Sequence, residues 1–414
     1  MGTTVRLEGP ALAWAREHFA RYYRSAGIPA PPRFALREFA AFPFTTETMM
    51  RRHAAFRSVE EFQGFLARET PRHVYYSSAY YRLPDHPTMA GKEWLGADLV
   101  FDLDADHLRG AESLGYADQL ALVRRRVRDL LDDFLFGDFG IDPATTSLVF
   151  SGGRGYHVHV RDEAFSDLSS PERRELVDYI MGTGFDPRSV VASDRGVPAP
   201  DTDEETSSRA RPGRPFARLP ARDAPGWDGR TTRAVVAMLE RFDAEGVDVA
   251  AAELLGAGLT PRKAHHLAKL LVAEGGGRKI RGSLSLEVRT RELPADFLDA
   301  VVARAALAMQ GETDAPVTTD IHRLIRLPGS LHGGTGFRVV PVPFEALDGF
   351  DPFVSALPEA PREERTTVRL TAEVHYPFPA SPIDGASGTE LDLPSAEALF
   401  LLLRGEAELP ASAG

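Results

Sequence analysis

The chain has 414 residues, roughly two to three times the length of a typical domain, which favours two packed subdomains over one core. An apolar fraction of 43% and a charged fraction of 26% exclude a chain that is disordered throughout, a collagen and a coiled-coil rod. The sequence contains no cysteine, so disulfides, iron–sulfur clusters, thiol nucleophiles and zinc sites built on thiolates are excluded.

The charge balance is acidic, with 60 acidic against 48 basic residues and a formal net charge of −12. Only four of the basic residues are lysines: Lys92, Lys263, Lys269 and Lys279. An acidic, lysine-poor surface suits a cytosol of high salt, although a GC-rich genome also favours arginine, and both interpretations stay open. A nucleic-acid partner is not excluded, because an arginine-lined groove is locally positive in an acidic protein.

No targeting or membrane segment is evident. The first sixteen residues lack an apolar stretch of signal-peptide length, and unbroken aliphatic runs such as 399–403 are far shorter than the ~20 residues of a spanning helix. We therefore expect a cytoplasmic protein with no membrane partner.

The first part of the chain alternates helical and strand patterns. Helical periodicity is present at 11–26, at 59–69 and, as an apolar stripe, at 120–135. The segment 98–104 alternates apolar and polar residues, which predicts a strand with Asp102 and Asp104 on one face. Short strand patterns at 147–150 and 156–160, joined by Ser151-Gly-Gly-Arg-Gly, predict a glycine-rich hairpin.

The second part is mainly helical at first and then mixed. Ser170 and Pro171 predict the start of a helix that runs to about residue 181, and 193–229 has the composition of an exposed insertion. The remaining predicted elements are helices at 231–242, 261–273 and 295–309, a strand at 283–287, a short helix, Pro-Gly turn and strand within 317–342, a strand at 367–374 and a helix at 395–404.

These elements predict a mixed α/β (α+β) fold in which a mixed sheet is accompanied by a smaller, mainly helical subdomain. We assign 1–169 and 276–350 to the α/β domain, 170–275 to the helical subdomain and 351–414 to a C-terminal strand and helix extension.

Asp102 and Asp104 are the first candidates for chemistry. Two carboxylates on one strand face stand about 7 Å apart, close enough to ligate one ion or to bridge two Mg²⁺ ions. The alternative is a solvated sheet edge in an acidic protein.

The hairpin Ser151-Gly-Gly-Arg154-Gly-Tyr-His157-Val-His159 is the second candidate. Glycines expose backbone N–H groups to phosphate oxygens, and an arginine adds a bidentate donor. Two alternatives stay open: a structural hairpin whose histidines are satisfied in the sheet, and a two-histidine zinc site.

The third candidate is the segment 314–337, which concentrates acidic and basic side chains: Asp314, Asp320, His322, Arg323, Arg326 and His332. The alternative is an arginine-rich amphipathic helix with its own salt bridges.

Taken in order, the three segments resemble the motifs of the small, catalytic subunit of archaeal and eukaryotic DNA primases, in the archaeal form, and the acidic surface extends the likeness to haloarchaeal members. The resemblance covers about 37–342. It implies that Asp102, Asp104 and Asp314 hold two divalent ions, Mg²⁺ or Mn²⁺, with Asp320 as second choice for the third ligand. It also implies a set of residues for the triphosphate of the incoming nucleotide: Ser151, Arg154, His157, Arg326 and His332, more weakly Arg52, and in second rank His159 and Arg323.

The implied function is a DNA-templated nucleotidyltransferase that makes primers for DNA replication by two-metal-ion phosphoryl transfer. The implied partners are a large primase subunit, a single-stranded DNA template and NTPs or dNTPs. The alternatives are a primase-polymerase of DNA break repair, a non-catalytic template-binding subunit, and a metal-dependent phosphoesterase or glycosyltransferase that uses Asp-x-Asp.

One departure from the family concerns zinc. Family members commonly carry a Cys/His zinc knuckle after the first motif, whereas here that stretch offers His107, no cysteine and no histidine from 108 to 149. We therefore expect no zinc, and the apolar stripe of the helix at 120–135 is one candidate to replace the knuckle.

Overall fold

Antiparallel strand pairs and short helices make up the computed structural model, which describes residues 7–45, 49–108, 110–190, 192–194, 216–278, 288–289, 302, 311–359, 364–379 and 382–410. The chain divides into two compact units. The first contains Met1–Tyr179 and Glu312–Gly414, and the second contains Ile180–Gly311. The combination of helices and sheets confirms the predicted mixed α/β class, and every strand pair within the described ranges is antiparallel.

The α-helices of the described residues are α1 (Gly9–Ser25), α2 (Val59–Glu69), α3 (Tyr116–Asp129), α4 (Ser170–Met181), α5 (Gly226–Glu245), α6 (Val247–Gly256), α7 (Pro261–Val272), α8 (Ala315–Thr319), α9 (Pro352–Ser355) and α10 (Ser395–Arg404). The strands are β1 (Phe39–Phe42), β2 (Arg51–Ala54), β3 (His73–Ser77), β4 (Ala79–Tyr81), β5 (Trp94–Ala97), β6 (Leu99–Asp104), β7 (Thr146–Phe150), β8 (Gly155–Val160), β9 (Ala192–Asp194), β10 (Phe216–Arg218), β11 (Val288–Arg289), β12 (Leu324–Arg326), β13 (Val340–Val342), β14 (Arg365–Leu370), β15 (Val374–Tyr376), β16 (Ile383–Gly385), β17 (Glu390–Pro394) and β18 (Ala407–Glu408).

Local signals explain several of these boundaries. The Ser58 side chain accepts the N–H of Glu61 and so caps α2, which has the bounds predicted from the sequence. The helices predicted at 170–181 and 395–404 also have the observed bounds. The strand 283–287 and, apart from residue 302, the helix 295–309 lie outside the described residues.

Two predicted elements differ from the structure. The helix expected over 120–135 is α-helical only to Asp129 and continues as a π-helix over Leu130–Asp138, in which the Phe139 N–H donates to the carbonyl of Phe134, five residues earlier. The strand expected over 367–374 ends at Leu370, because the chain bends at residues 371 and 372. A separate strand, β15, then begins at Val374.

Two four-stranded sheets form the framework of the first unit. One has the strand order β12-β3-β1-β2 and the other β13-β7-β8-β6. They pack face to face, since the rings of Tyr76 on β3 and His159 on β8 are stacked with centroids 6.2 Å apart. Val100 on β6, Val317 on α8 and Ile325 on β12 form a small apolar cluster at the same interface. The edge strands β6 and β12 are thereby brought together.

A buried ion pair supports the start of β6. Arg37 Nη2 lies 2.8 Å from Asp98 Oδ2, and both side chains are fully buried. The Arg37 guanidinium also stacks on the ring of Tyr80 at 4.1 Å and donates to the carbonyl oxygens of Ser77 and Ser78. Because its hydrogen bonds are satisfied, the pair fixes the loop before β1 against the strand that carries Asp102 and Asp104.

The second unit is mainly helical around one apolar core. α5, α6 and α7 contribute Val235, Leu239, Leu254, Leu267 and Leu271 to this core, and the strands β9, β10 and β11 form a small sheet. We find no helix among the described residues with the length and apolar character needed to cross a membrane.

Candidate active site

Asp102 and Asp104 lie on one face of β6, as the alternating pattern predicts, and Asp314 joins them from far along the chain. Asp102 pairs with His157 on β8, and Asp104 pairs with Gly155. The N–H of Asp314, at the start of α8, donates to the carbonyl oxygen of Asp102 at 2.8 Å. The three carboxylates therefore belong to one cluster, although 210 residues of sequence separate the two segments.

Burial and, after it, neighbouring negative charge set the electrostatics of this cluster. Burial, followed by the negative charges of Asp104 and Asp314, raises the pKa of Asp102 to about 7, and Arg323 and Arg326 only partly oppose this. His157 Nε2 lies 3.6 Å from Asp102 Oδ1. Burial and the two arginines lower the pKa of His157 to about 3, so its ring is neutral and the contact with Asp102 is not an ion pair.

The donor set of the cluster suits hard divalent cations, since it consists of carboxylate oxygens. Burial is the largest cause of the raised pKa of Asp102, and the charges of Asp104 and Asp314 add to it. As they stand, however, no three histidine, aspartate or glutamate side chains in the described part of the chain are grouped tightly enough to hold a metal ion. The chemistry of the side chains fits a metal site whose ligands adjust on binding.

The loop between β7 and β8, residues 151–155, lies beside the carboxylates and requires glycine at two positions. Gly152 has φ +76°, and a Cβ there would come within 2.7 Å of the Cβ of His332. A Cβ on Gly155 would lie 2.3 Å from the carbonyl oxygen of Leu103, in the strand that carries the aspartates. Close backbone packing between the loop, β6 and the turn around His332 thus depends on these glycines.

Positively charged and neutral nitrogen donors surround the loop. The Arg154 guanidinium forms a salt bridge with Asp106, and Arg326 Nη1 lies 2.5 Å from His73 Nδ1 with its guanidinium over the ring of Tyr75. His332 lies half-buried beside the loop with its Nδ1 3.1 Å from Thr335 Oγ1. Burial and nearby arginines lower the pKa of His332, so it is a neutral hydrogen-bonding group.

Comparisons with known proteins agree with this arrangement. The family model for the DNA primase small subunit matches residues 101–344, which contain all three motifs. A DNA primase small subunit PriS from Methanocella arvoryzae is 38% identical over 402 residues, covering 96% of this chain and 98% of the relative. The chain belongs to the DNA primase small subunit family. The proteins of the same name from Methanoregula boonei and Halobacterium salinarum are 40% and 38% identical over 400 and 413 residues, covering 96% and 97% of this chain and 98% and 99% of the relatives.

The family resemblance expected from the three motifs is thereby confirmed, and the structure places the other candidate residues as follows. Ser151, Arg154, His157, Arg326 and His332 all lie around the loop or on the strands next to it. Arg52 does not: it lies on β2, separated from β12 by β1 and β3, and it pairs with the buried carboxylate of Glu38 at 3.0 Å.

The structure also distinguishes among the candidates of second rank, Asp320, Arg323 and His159. Asp320 Oδ1 accepts the N–H of His322 at 2.9 Å and so caps its own turn, whereas Asp314 is tied directly to Asp102. The positive charge of Arg323 lowers the pKa of both Asp102 and His157. His159 is fully buried between the two sheets against Tyr76.

Three residues that contact the site were not identified from the sequence. Tyr116 donates its hydroxyl to the carbonyl of Gly153, Thr335 donates to the carbonyl of Gly152, and His73 contacts both Arg326 and the N–H of Gly333. Thr335 sits in the glycine-rich run 333–336, whose composition could have drawn attention to it. The pattern around Tyr116 and His73 carries no such signal.

Apolar packing occupies the region where other family members commonly carry a zinc knuckle. The predicted stripe on α3 is buried, with Leu120, Val123 and Val127 facing the interior. It continues through Leu130 and Phe134 of the π-helix. These side chains stabilise the connection between β6 and β7 by burial of apolar surface.

Proposed function

We propose that the chain is the catalytic subunit of a DNA primase, which joins nucleotides on a single-stranded DNA template to make primers for replication. The observation that carries this proposal is the hydrogen bond from Asp314 to Asp102. It links the third motif to the first, and the strand pairing of Asp102 with His157 links the first to the loop of the second. A carboxylate cluster therefore adjoins a glycine-rich loop with cationic donors, as phosphoryl transfer from a nucleotide requires.

Asp102, Asp104 and Asp314 would hold two divalent ions, Mg²⁺ or Mn²⁺. When bound, such ions activate the 3′-hydroxyl and neutralise the triphosphate. The protein's own contribution is to hold the acids together, through the Asp314 N–H and β6. The raised pKa of Asp102 supports cation binding at this position, because added positive charge relieves the repulsion among the three acids.

Ser151, Arg154, His157, Arg326 and His332 would bind the triphosphate. The arginines supply charge-assisted hydrogen bonds. The two histidines are neutral near pH 7 because their pKa values are lowered, and each neutral ring supplies one N–H donor. A well-placed donor of this kind contributes on the order of 3 kcal/mol to the transition state. Arg52 would have to leave Glu38 to join them, which makes it the weakest member of the proposed set.

A large primase subunit is the proposed partner, and NTPs or dNTPs are the proposed substrates, in the cytoplasm. The name "small subunit" that the relatives carry supports a second, larger chain. Initiation holds two nucleotides on a template without a primer, which is entropically costly, and a partner that orders the template would lower that cost.

The test is primer synthesis by the double variant Asp102→Asn with Asp104→Asn on a single-stranded template. We expect incorporation to fall at least 100-fold while the melting temperature and template binding persist. The matched control is Asp384→Asn with Asp392→Asn, which removes two exposed carboxylates whose ion pairs contribute little to stability. Undiminished synthesis by the first variant would refute the assignment.

The same assay separates the alternatives. Pyrophosphate release that needs no template would favour a phosphoesterase or glycosyltransferase, and template binding without any synthesis would favour a non-catalytic subunit. Full activity without association with a large subunit would favour a break-repair polymerase.

A further inference from the structure

Two carbonyl groups of the glycine-rich loop are held from the side by hydroxyl groups that the motifs do not include. Thr335 Oγ1 donates to the carbonyl oxygen of Gly152 at 2.5 Å, and the Tyr116 hydroxyl donates to that of Gly153 at 2.6 Å. Both hydrogen bonds are buried. The orientations of the peptide groups that follow Gly152 and Gly153 are therefore fixed by side chains.

In a trans peptide the N–H points away from the carbonyl of the same plane, and no cis peptide occurs among the residues that the structure describes. Thr335 holds the peptide plane between Gly152 and Gly153. The Gly153 N–H of this plane points toward Ser151 Oγ, which accepts it at 3.3 Å. Tyr116 holds the peptide plane between Gly153 and Arg154, so the Arg154 N–H points to the side opposite Tyr116. Because the Gly153 N–H is already bonded to Ser151 Oγ, the Arg154 N–H is the backbone donor that this arrangement presents to an anion.

Tyr116 is in turn enclosed by residues of the C-terminal extension. The Arg404 guanidinium lies over its ring at 4.6 Å, and the rings of Tyr376 and Phe400 meet it edge-on at 6.2 and 5.7 Å. Glu406 holds this group together, because it accepts from Tyr376 and Arg404 at 2.7 and 2.8 Å. We call Tyr376, Phe400, Arg404 and Glu406 the C-terminal brace; all four lie beyond the segment matched by the family model.

We propose that Tyr116 is a positioning residue, fixed by the C-terminal brace, which sets the Gly153–Arg154 peptide for the triphosphate of the incoming nucleotide. This inference rests on the proposed function. The hydroxyl touches no substrate in this account; it acts through the carbonyl of Gly153. The brace makes the otherwise unassigned C-terminal extension part of the nucleotide site.

Tyr116→Phe tests this inference, because it removes one hydroxyl and keeps the ring. Tyr179→Phe is the matched control: it removes a hydroxyl that donates to Asp138 Oδ2 and belongs neither to the loop nor to the C-terminal brace. For Tyr116→Phe we expect the KM for the nucleotide to rise about three- to tenfold, the effect of one hydrogen bond, with kcat within about twofold. For Tyr179→Phe we expect an unchanged KM at a similar loss of melting temperature.

An unchanged KM in Tyr116→Phe, or an equal rise in both variants, would overturn the inference, since the effect would then be absent or a general consequence of destabilisation. Calorimetric binding of inorganic tripolyphosphate to the full chain is the second readout, with weaker binding expected for Tyr116→Phe alone. If the unsubstituted chain synthesises nothing, the proposed function fails. The binding comparison still decides the role of Tyr116: weaker binding by Tyr116→Phe than by Tyr179→Phe supports it, and equal binding rejects it.

Discussion

Glu397 provides a quantitative test of the packing of the C-terminal extension. This glutamate lies in the first turn of α10 and is 2% exposed, and its Oε2 makes no hydrogen bond within the described part of the chain. Burial raises its pKa to about 7 from the usual 4.5 of a glutamate, with Arg365 opposing the change. The folded protein therefore holds this proton more tightly than the unfolded chain does.

The sign of the resulting pH dependence follows from linkage. Because the folded pKa is the higher one, the folded state binds more protons between pH 4.5 and 7, so stability falls as the pH rises through this window. Each pKa unit corresponds to about 1.4 kcal/mol, so the loss approaches about 3 kcal/mol above pH 7. Glu397→Gln keeps the shape of the side chain without the charge and should abolish this loss.

The assay is urea unfolding at pH 5 and pH 8 in constant salt. We expect Glu397→Gln to match the parent chain at pH 5 within about 1 kcal/mol and to exceed its stability by up to about 3 kcal/mol at pH 8. Glu345→Gln, which replaces an exposed carboxyl, serves as control and should show no such difference. Equal stability of Glu397→Gln and the parent chain at both pH values would refute the reasoning.

Two other substitutions probe the framework of the site. Gly155→Ala places a Cβ 2.3 Å from the Leu103 carbonyl oxygen and should separate β8 from β6. We expect this variant to lose primer synthesis and to have a lower melting temperature. Unaltered activity and melting temperature would contradict the close packing of the two strands. Arg37→Met leaves Asp98 buried without its main partner and should cost about 3–5 kcal/mol in urea unfolding. A cost under about 1 kcal/mol would show that the pair does not anchor β6.

Much of the local structure could be predicted because its cause is local. The alternation at 98–104 gives β6 with both aspartates on one face, and the glycine-rich link gives the β7–β8 hairpin. The π-helix after Asp129 could not be predicted, because its apolar residues also fit an α-helical stripe, and the two differ in backbone hydrogen bonding such as that from the Phe139 N–H to the Phe134 carbonyl.

The assembly of the site depended on information that no local pattern carries. Asp314 docks on Asp102 through a backbone hydrogen bond between distant segments, and only the family resemblance suggested that they meet. No sequence pattern predicts the proposed role of Tyr116, because that role depends on one carbonyl group in a loop and on a C-terminal brace more than 250 residues away. Arg52 was selected by resemblance, and its pairing with Glu38 follows from the fold of β1 and β2.

The central claim is that Asp314, rather than Asp320, completes the carboxylate cluster. The most direct measurement compares Asp314→Asn with Asp320→Asn in incorporation of labelled nucleotide on a single-stranded template. We expect a loss of at least 100-fold for Asp314→Asn and activity within about tenfold of the parent for Asp320→Asn, whose amide oxygen can still accept the N–H of His322. Near-parental activity of Asp314→Asn, or a greater loss in Asp320→Asn, would contradict it.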